Sequence, residues 1–185
     1  MIKKQNYLKH AIVLFLLLLL MQPERAWAAY ENVEFSSLTN HDGLTNSQVG
    51  AILKDTRGYI WFGTQSGLCR FDGFRMKTFY YINTDDKSLP NNSVDELQQD
   101  YGGNIWVHTS VGYCIYKYDE EQFERKPEEW LKNIHVQGPP YKLLIDKDKN
   151  MWIAVYGQGL YYHNAKTKNT YLFKFTKKAQ PGCLK

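Results

Sequence analysis

Residues 44–79, LTNSQVGAILKDTRGYIWFGTQSGLCRFDGFRMKTF, decide the fold. They read as four short strands separated by turns. Val49, Ile52 and Leu53 make an apolar first strand, and Asp55-Thr56-Arg57-Gly58 is a turn that opens on Asp and closes on Gly. Residues 59–64 (YIWFGT) form an aromatic, β-branched second strand. Ser66-Gly67 turns the chain into residues 68–71, and Asp72-Gly73 turns it again into residues 75–80.

The unit returns. Residues 89–123 place Asp100, Gly103, Trp106, Thr109 and Gly112 where Asp55, Gly58, Trp61, Thr64 and Gly67 stand, 45 positions on. A looser third copy has Asp146, Trp152 and Gly159, with Lys149 where glycine is expected, and Trp106 and Trp152 are 46 positions apart. Short strands at a period in the forties, each second strand carrying Trp, are the signature of β-propeller blades. The expected fold is therefore all-β: a partial propeller of about three four-stranded blades following a signal peptide. The blades are assigned to residues 44–88, 89–134 and 135–176, after an N-terminal strand and loop in residues 29–43. Residues 177–185 form a tail that stops before a further blade.

The N-terminus reads as a targeting segment. Lys3, Lys4 and Lys9 precede the apolar run of residues 11–21, and Ala26-Trp27-Ala28 fits a small-x-small cleavage site ending at Ala28. The run is shorter than the roughly 20 residues that cross a bilayer, which disfavours the alternative of an uncleaved anchor. Removing residues 1–28 takes away Lys3, Lys4, Lys9 and Arg25 against Glu24, so the formal charge drops from +4 to +1. No basic stripe remains to mark a nucleic-acid surface. Three cysteines are too few for a disulfide scaffold. Cys69 and Cys114 hold equivalent repeat positions and read as buried small hydrophobes, while Cys183 lies in the tail.

Residues 30–38 read as an extra strand before the first blade. Residues 83–92, with Pro90, read as a turn-rich connector, and residues 126–133 as a short helical turn with Pro127 at its first position. Asp146-Lys147-Asp148-Lys149-Asn150 has the opening of a calcium loop, but Met151 and Gly157 stand where that loop needs Gly and Glu. It aligns with the turns Asp55–Gly58 and Asp100–Gly103 and is read as a turn. The repeated Trp residues offer a sugar-stacking platform or a core, and repetition in every blade favours packing. Asn91-Asn92-Ser93 matches a glycosylation acceptor but stands at an ordinary turn.

His41, His108, His135 and His163 show no metal-binding spacing and read as surface or supporting residues. No nucleophile or phosphate-binding motif is present, so no catalysis and no cofactor are expected of this chain. Tyr80, Tyr81, Tyr101, Tyr156 and Tyr161 fall near strand ends or loops, where a propeller binds its ligands, and each offers a stacking face and a hydroxyl suited to a sugar.

Residues 43–74, with the second copy at residues 89–119, resemble the propeller repeat of two-component regulators. That repeat occurs in the periplasmic sensors of hybrid histidine kinases of gut Bacteroidetes. The resemblance implies a periplasmic region that senses a carbohydrate, often a glycan breakdown product, and signals through a membrane helix to a kinase, a receiver and a DNA-binding domain. A propeller closes with roughly four to eight blades, and no kinase, receiver or second membrane segment stands in these 185 residues. The expectation is therefore an N-terminal portion of such a sensor, whose partners are an oligosaccharide and further blades. The alternative is a short secreted binding module that closes its ring as a homo-oligomer.

Overall fold

The computed structural model describes residues 35–174 together with Phe15. The leader with its cleavage site at Ala28, residues 30–34 of the extra strand, Phe175 and the tail with Cys183 lie outside the described residues.

Among the described residues, twelve strands form three antiparallel sheets of four, each in simple meander order. The first blade holds β1 (Val49–Lys54), β2 (Ile60–Thr64), β3 (Gly67–Phe71) and β4 (Met76–Phe79). The second holds β5 (Val94–Gln99), β6 (Ile105–Thr109), β7 (Gly112–Lys117) and β8 (Gln122–Glu124). The third holds β9 (Pro140–Ile145), β10 (Met151–Val155), β11 (Gly159–His163) and β12 (Thr170–Phe173). Between the second and third blades lies the short helix α1 (Pro127–Lys132), with Pro127 in its first turn as the sequence requires. The expected extra strand does not extend into residues 35–38, which have no regular structure. They lead into a 3-10 turn, Asn40–Asp42, capped by Thr39.

Why the repeat needs both Asp and Trp is visible in the first turn of each blade. One carboxylate oxygen of Asp55 accepts from the backbone N–H of Arg57 and Tyr59, and the other accepts from Trp61 Nε1 at 2.7 Å. Asp100 repeats this with Gly102, Asn104 and Trp106, the indole at 3.0 Å. A single buried carboxylate thus closes the β-turn and fixes the Trp rotamer. Asp146 forms the same turn, accepting from the N–H groups of Asp148 and Asn150 at 2.9 Å each, which settles the calcium-like string as a turn. Its last residue, Lys149, sits at φ +65°, where Gly58 and Gly103 sit at +93° and +86°. A side chain is strained there, and that is why the repeat favours glycine.

Alternation along the strands gives every blade two apolar faces. Trp61, Ala51 and Leu53 of the first blade pack against Leu97, Ile105, Val107, Cys114 and Tyr116 of the second. Trp106, Tyr113 and Ile115 on the opposite face of the second blade pack against Leu143, Met151, Ile153 and Tyr161 of the third, with Leu131 of α1 and Val136 beside them. Each Trp therefore points forward to the next blade. Trp61 and Trp106 are fully buried. Trp152, on the third blade's forward face, is only half-buried beside exposed Leu144 and Tyr171, so its core role is incomplete. Cys69 and Cys114 are buried free thiols, as their repeat positions imply.

The inner strands meet closely where the chain allows it. A Cβ on Gly63 would lie 2.6 Å from Val94 Cγ1, so this position must be glycine for β5 to approach. Between the second and third blades a side chain does the joining. Gln98 on β5 donates to Leu143 O at 2.8 Å and accepts from Ile145 N at 2.5 Å, pairing with β9 as a strand backbone would.

Candidate functional site

The hairpin topology separates two ends of the blade array. The Asp turns of all three blades share one end, tied by Thr56 N to Gln99 Oε1 at 3.0 Å and Lys149 Nζ to Gln99 O at 3.1 Å. The β2–β3 and β6–β7 turns meet the blade-to-blade connectors at the other end. There Gly67 N donates to Asn92 O at 2.8 Å, Ser110 N to Ser93 O at 3.2 Å, and Ser93 Oγ to Gln65 Oε1 at 2.9 Å. Asn91 Oδ1 accepts from Ser93 N at 2.8 Å, the ordinary Asx turn the sequence implies.

Two concavities adjoin the connector end of the third blade. A cleft of about 610 Å³ is lined by His135, Gln137, Gln158, Tyr161, Thr170 and Lys174, together with Gly157 and Leu172. A second, of about 370 Å³, lies against Tyr141 and the turn from Ala154 to Gly159. The two share Gly157 and Gln158, so the β10–β11 turn is a rib between them. Tyr156 stands on that rib at 92% exposure. Tyr161 lies inside β11, not at a strand end, and is buried, with its hydroxyl donating to Gln158 Oε1 at 2.6 Å. That bond holds the Gln158 carboxamide with its N–H groups free to face a ligand.

Of the five tyrosines singled out from the sequence, the structure gathers Tyr156 and Tyr161 here. Tyr80 lines a separate cleft of about 280 Å³ between the outer edges of the first two blades, with Asp85, Lys87 and Glu121. Tyr81 is fixed on the same connector: its N–H donates to Asn92 Oδ1 at 2.7 Å, and Arg125 stacks on its ring at 5.5 Å. Tyr101 belongs to the opposite end, in the Asp100 turn, wedged between Trp130 and His163 with Lys168 Nζ 3.5 Å over its ring. Burial, with the nearby Asp100 charge, pushes its phenol up. Tyr101 packs the blade seam and leaves the set.

Sequence reading missed His135, Gln137, Gln158, Thr170 and Lys174. The signal available was weak: His135 at φ +61° and Gly138 at +85° bend the connector after α1, and nothing in residue type announces that bend. The histidines divide. His135 is exposed on the cleft and His108 pairs with Asp95 at 2.6 Å, whereas His163 is buried, a supporting residue and not a surface one. Buried acids and thiols elsewhere are structural: Tyr118 donates to Asp55 across the first seam, and burial pushes the Cys114 thiol up. Among the described residues no three His, Cys, Asp or Glu side chains stand together as a metal site, and no helix is long and apolar enough to cross a membrane.

The family model described as two component regulator propeller matches residues 43–66. A relative called histidine kinase P4, from Formosa agariphila, is 41% identical over 61 residues, which cover 33% of this chain and 4% of that protein. Among solved structures, the extracellular domain of the hybrid two-component system BT3049 from B. thetaiotaomicron superposes with a TM-score of 0.53 at 24% identity, covering 75% of this chain and 20% of that one. That of BT4673 from the same organism gives 0.42 at 17% identity, covering 75% and 27%. This chain thus spans a small part of the proteins it resembles. It is a β-propeller chain whose residues 43–66 match the two component regulator propeller.

Proposed function

We propose that the chain is the ligand-sensing propeller region of a two-component sensor, exported to the periplasm, and that it binds a saccharide without transforming it. The observation that carries this reading is the paired cleft at the connector end. The exposed Tyr156 ring supplies, in the smaller cleft, a face on which a pyranose stacks, while His135, Gln137 and Lys174 supply directional polar groups in the larger one and Gln158 is shared by both. Among the described residues the lining holds no carboxylate pair of the kind glycoside hydrolysis requires. Export is supported by the sequence of residues 1–28, and the sensor role by the repeat and by the extracellular propeller that this fold matches.

Titration of the mature chain with a panel of neutral and acidic oligosaccharides tests the proposal by calorimetry. Saturable binding that Tyr156→Ala abolishes is the expected result. A panel with no binder, or binding indifferent to Tyr156→Ala, overturns it.

The forward face of the third blade favours a second feature of the reading. Trp152 lies half-buried there, with Leu144, Tyr171 and Phe173 at 57%, 53% and 54% exposure. At the two existing seams the same face is covered by the rear face of the next blade. The partner that fits is another such rear face, on a further blade or on a second copy, since the first blade's Ile52 is itself 67% exposed. Light scattering of the mature chain distinguishes these. A discrete oligomer supports closure by copies, and a soluble monomer at high concentration counts against it.

A further inference from the structure

His163 on β11 is 1% exposed and faces the second blade. Its Nδ1 lies 2.8 Å from Thr170 Oγ1 on β12, and that hydroxyl donates its one proton to Ile134 O at 2.6 Å. Thr170 therefore has only lone pairs to offer the ring, so Nδ1 carries the imidazole proton. Nε2 is left as a bare acceptor, buried and without a donor among the described residues. The chain from His163 through Thr170 to Ile134 links β11, β12 and the connector after α1. Thr170 lines the larger cleft, and His135, next to Ile134, lines it too.

A proton on Nε2 would create a buried N–H with no acceptor and a buried positive charge. The groups facing the ring do not relieve it. Burial, with the like charge of Lys168 on the β11–β12 turn, holds the ring below the ordinary histidine range. Tyr101 faces it from the second blade with ring centroids 5.7 Å apart. Its neighbour Asp100 already spends its carboxylate on Gly102, Asn104 and Trp106. On α1, Trp130 packs on Tyr101 at 6.4 Å between centroids, and Glu129 and Lys132 pair with each other at 3.1 Å. Met151 is opposite on β10.

We propose that His163 is a proton-operated latch behind the cleft: protonation at Nε2 opens the joint between β12 and the connector at Ile134 and so moves the cleft wall. An effect on ligand binding rests on the reading of the cleft as the saccharide site. The opening itself does not.

Residue-resolved hydrogen exchange on the mature chain at pH 7.5 and 5.0, corrected for intrinsic rates, tests the latch without ligand. The ring in the open state titrates near the ordinary value of about 6.5, so acidification to pH 5.0 favours opening by up to ~30-fold. Protection should fall by that order at Ile134, Val136 and along β11–β12, while β1–β4 stays unchanged. His163→Asn keeps a side-chain N–H for Thr170 but does not titrate, and should flatten the response. An equal loss in His163→Asn, an equal loss in β1–β4, or no loss overturns the proposal. Nitrogen NMR of the unaltered chain supplies an independent reading, whatever the variant's stability. The Nδ1–H tautomer at pH 7.5 is expected, and the Nε2–H tautomer would overturn the latch.

Discussion

Removing the Asp of the repeat turn should cost very different amounts in different blades. Asp100 is 2% exposed, and its carboxylate serves two backbone N–H groups, Asn104 Nδ2 and the indole N–H of a fully buried Trp106. In Asp100→Ala the two turn amides lie near solvent and recover water, at about 0.5–1 kcal/mol each. The indole N–H cannot, and an orphaned buried donor costs roughly 1–3 kcal/mol. The total is about 3 kcal/mol, a large share of the stability of a small domain. Asp146 serves the amides of Asp148 and Asn150 and the Asn150 side chain, beside a Trp152 that is only half-buried. Water replaces most of what Asp146→Ala removes, and about 1 kcal/mol is expected. Urea unfolding of both variants followed by circular dichroism measures the difference, and Asp100→Asn should fall between Asp100→Ala and the parent because one oxygen remains to accept. Equal costs for the two alanine variants would refute the claim that the buried indole is what makes the carboxylate indispensable.

Gly63→Ala should destabilise by about 1–3 kcal/mol through the clash with Val94, and Val94→Ala should recover part of that in the double mutant, which a thermodynamic cycle reads directly. Gln98→Ala should cost about 1–2 kcal/mol and raise hydrogen exchange at Ile145, because the strand-like bridge between β5 and β9 is lost; unchanged protection there would count against it. Arg125 donates to the carbonyls of Asp85, Ser88 and Leu89 and to Ser88 Oγ; Arg125→Lys should loosen the connector almost as much as Arg125→Ala, seen as proteolytic nicking near residues 82–90, since a single ammonium cannot reproduce the planar fork. Acid should weaken the third blade's turn. Burial raises the Asp146 carboxyl, but the bonds from Asn150 and Asp148 outweigh it and the net shift is downward. Its contribution is therefore present above the ordinary value of 3.8 and lost as pH falls through the lower folded one. Asp146→Asn should flatten that part of the pH–stability curve.

Much of this architecture is legible in residue types because the local and the global requirements coincide. Asp, then Gly at a positive φ, then Trp six positions after the Asp, is a turn and a core residue joined by one carboxylate, and the period survives because each copy solves the same packing problem. Pro127 likewise announces α1, since a residue without an N–H suits a helix's first turn. Alternation also says that Trp106 and Ile115 share a face. It does not say whether a neighbour covers that face, so Trp152 reads as core and stands half-open. Tyr80, Tyr101, Tyr156 and Tyr161 look equivalent in sequence, but the hairpin topology sends Tyr101 to the Asp-turn end and buries Tyr161 behind Gln158.

The cleft was illegible for a sharper reason. Its polar lining comes from a connector bent at His135 and Gly138, from the β10–β11 turn, and from β12, three segments whose spacing in sequence carries no period. A repeat fixes what recurs, and the proposed saccharide cleft is lined by what does not. The same holds for His163. Its strand position is set by the repeat, but its tautomer follows from where Thr170 sends a single proton. That depends on Ile134, a residue of the connector, so a repeat-level reading had no means of placing a buried acceptor there. The saccharide site proposed above therefore belongs to a joint between recurring blades. The variants most informative about the proposed saccharide binding are those at Tyr156 and Gln137, which leave every Asp turn and the Thr170 joint intact.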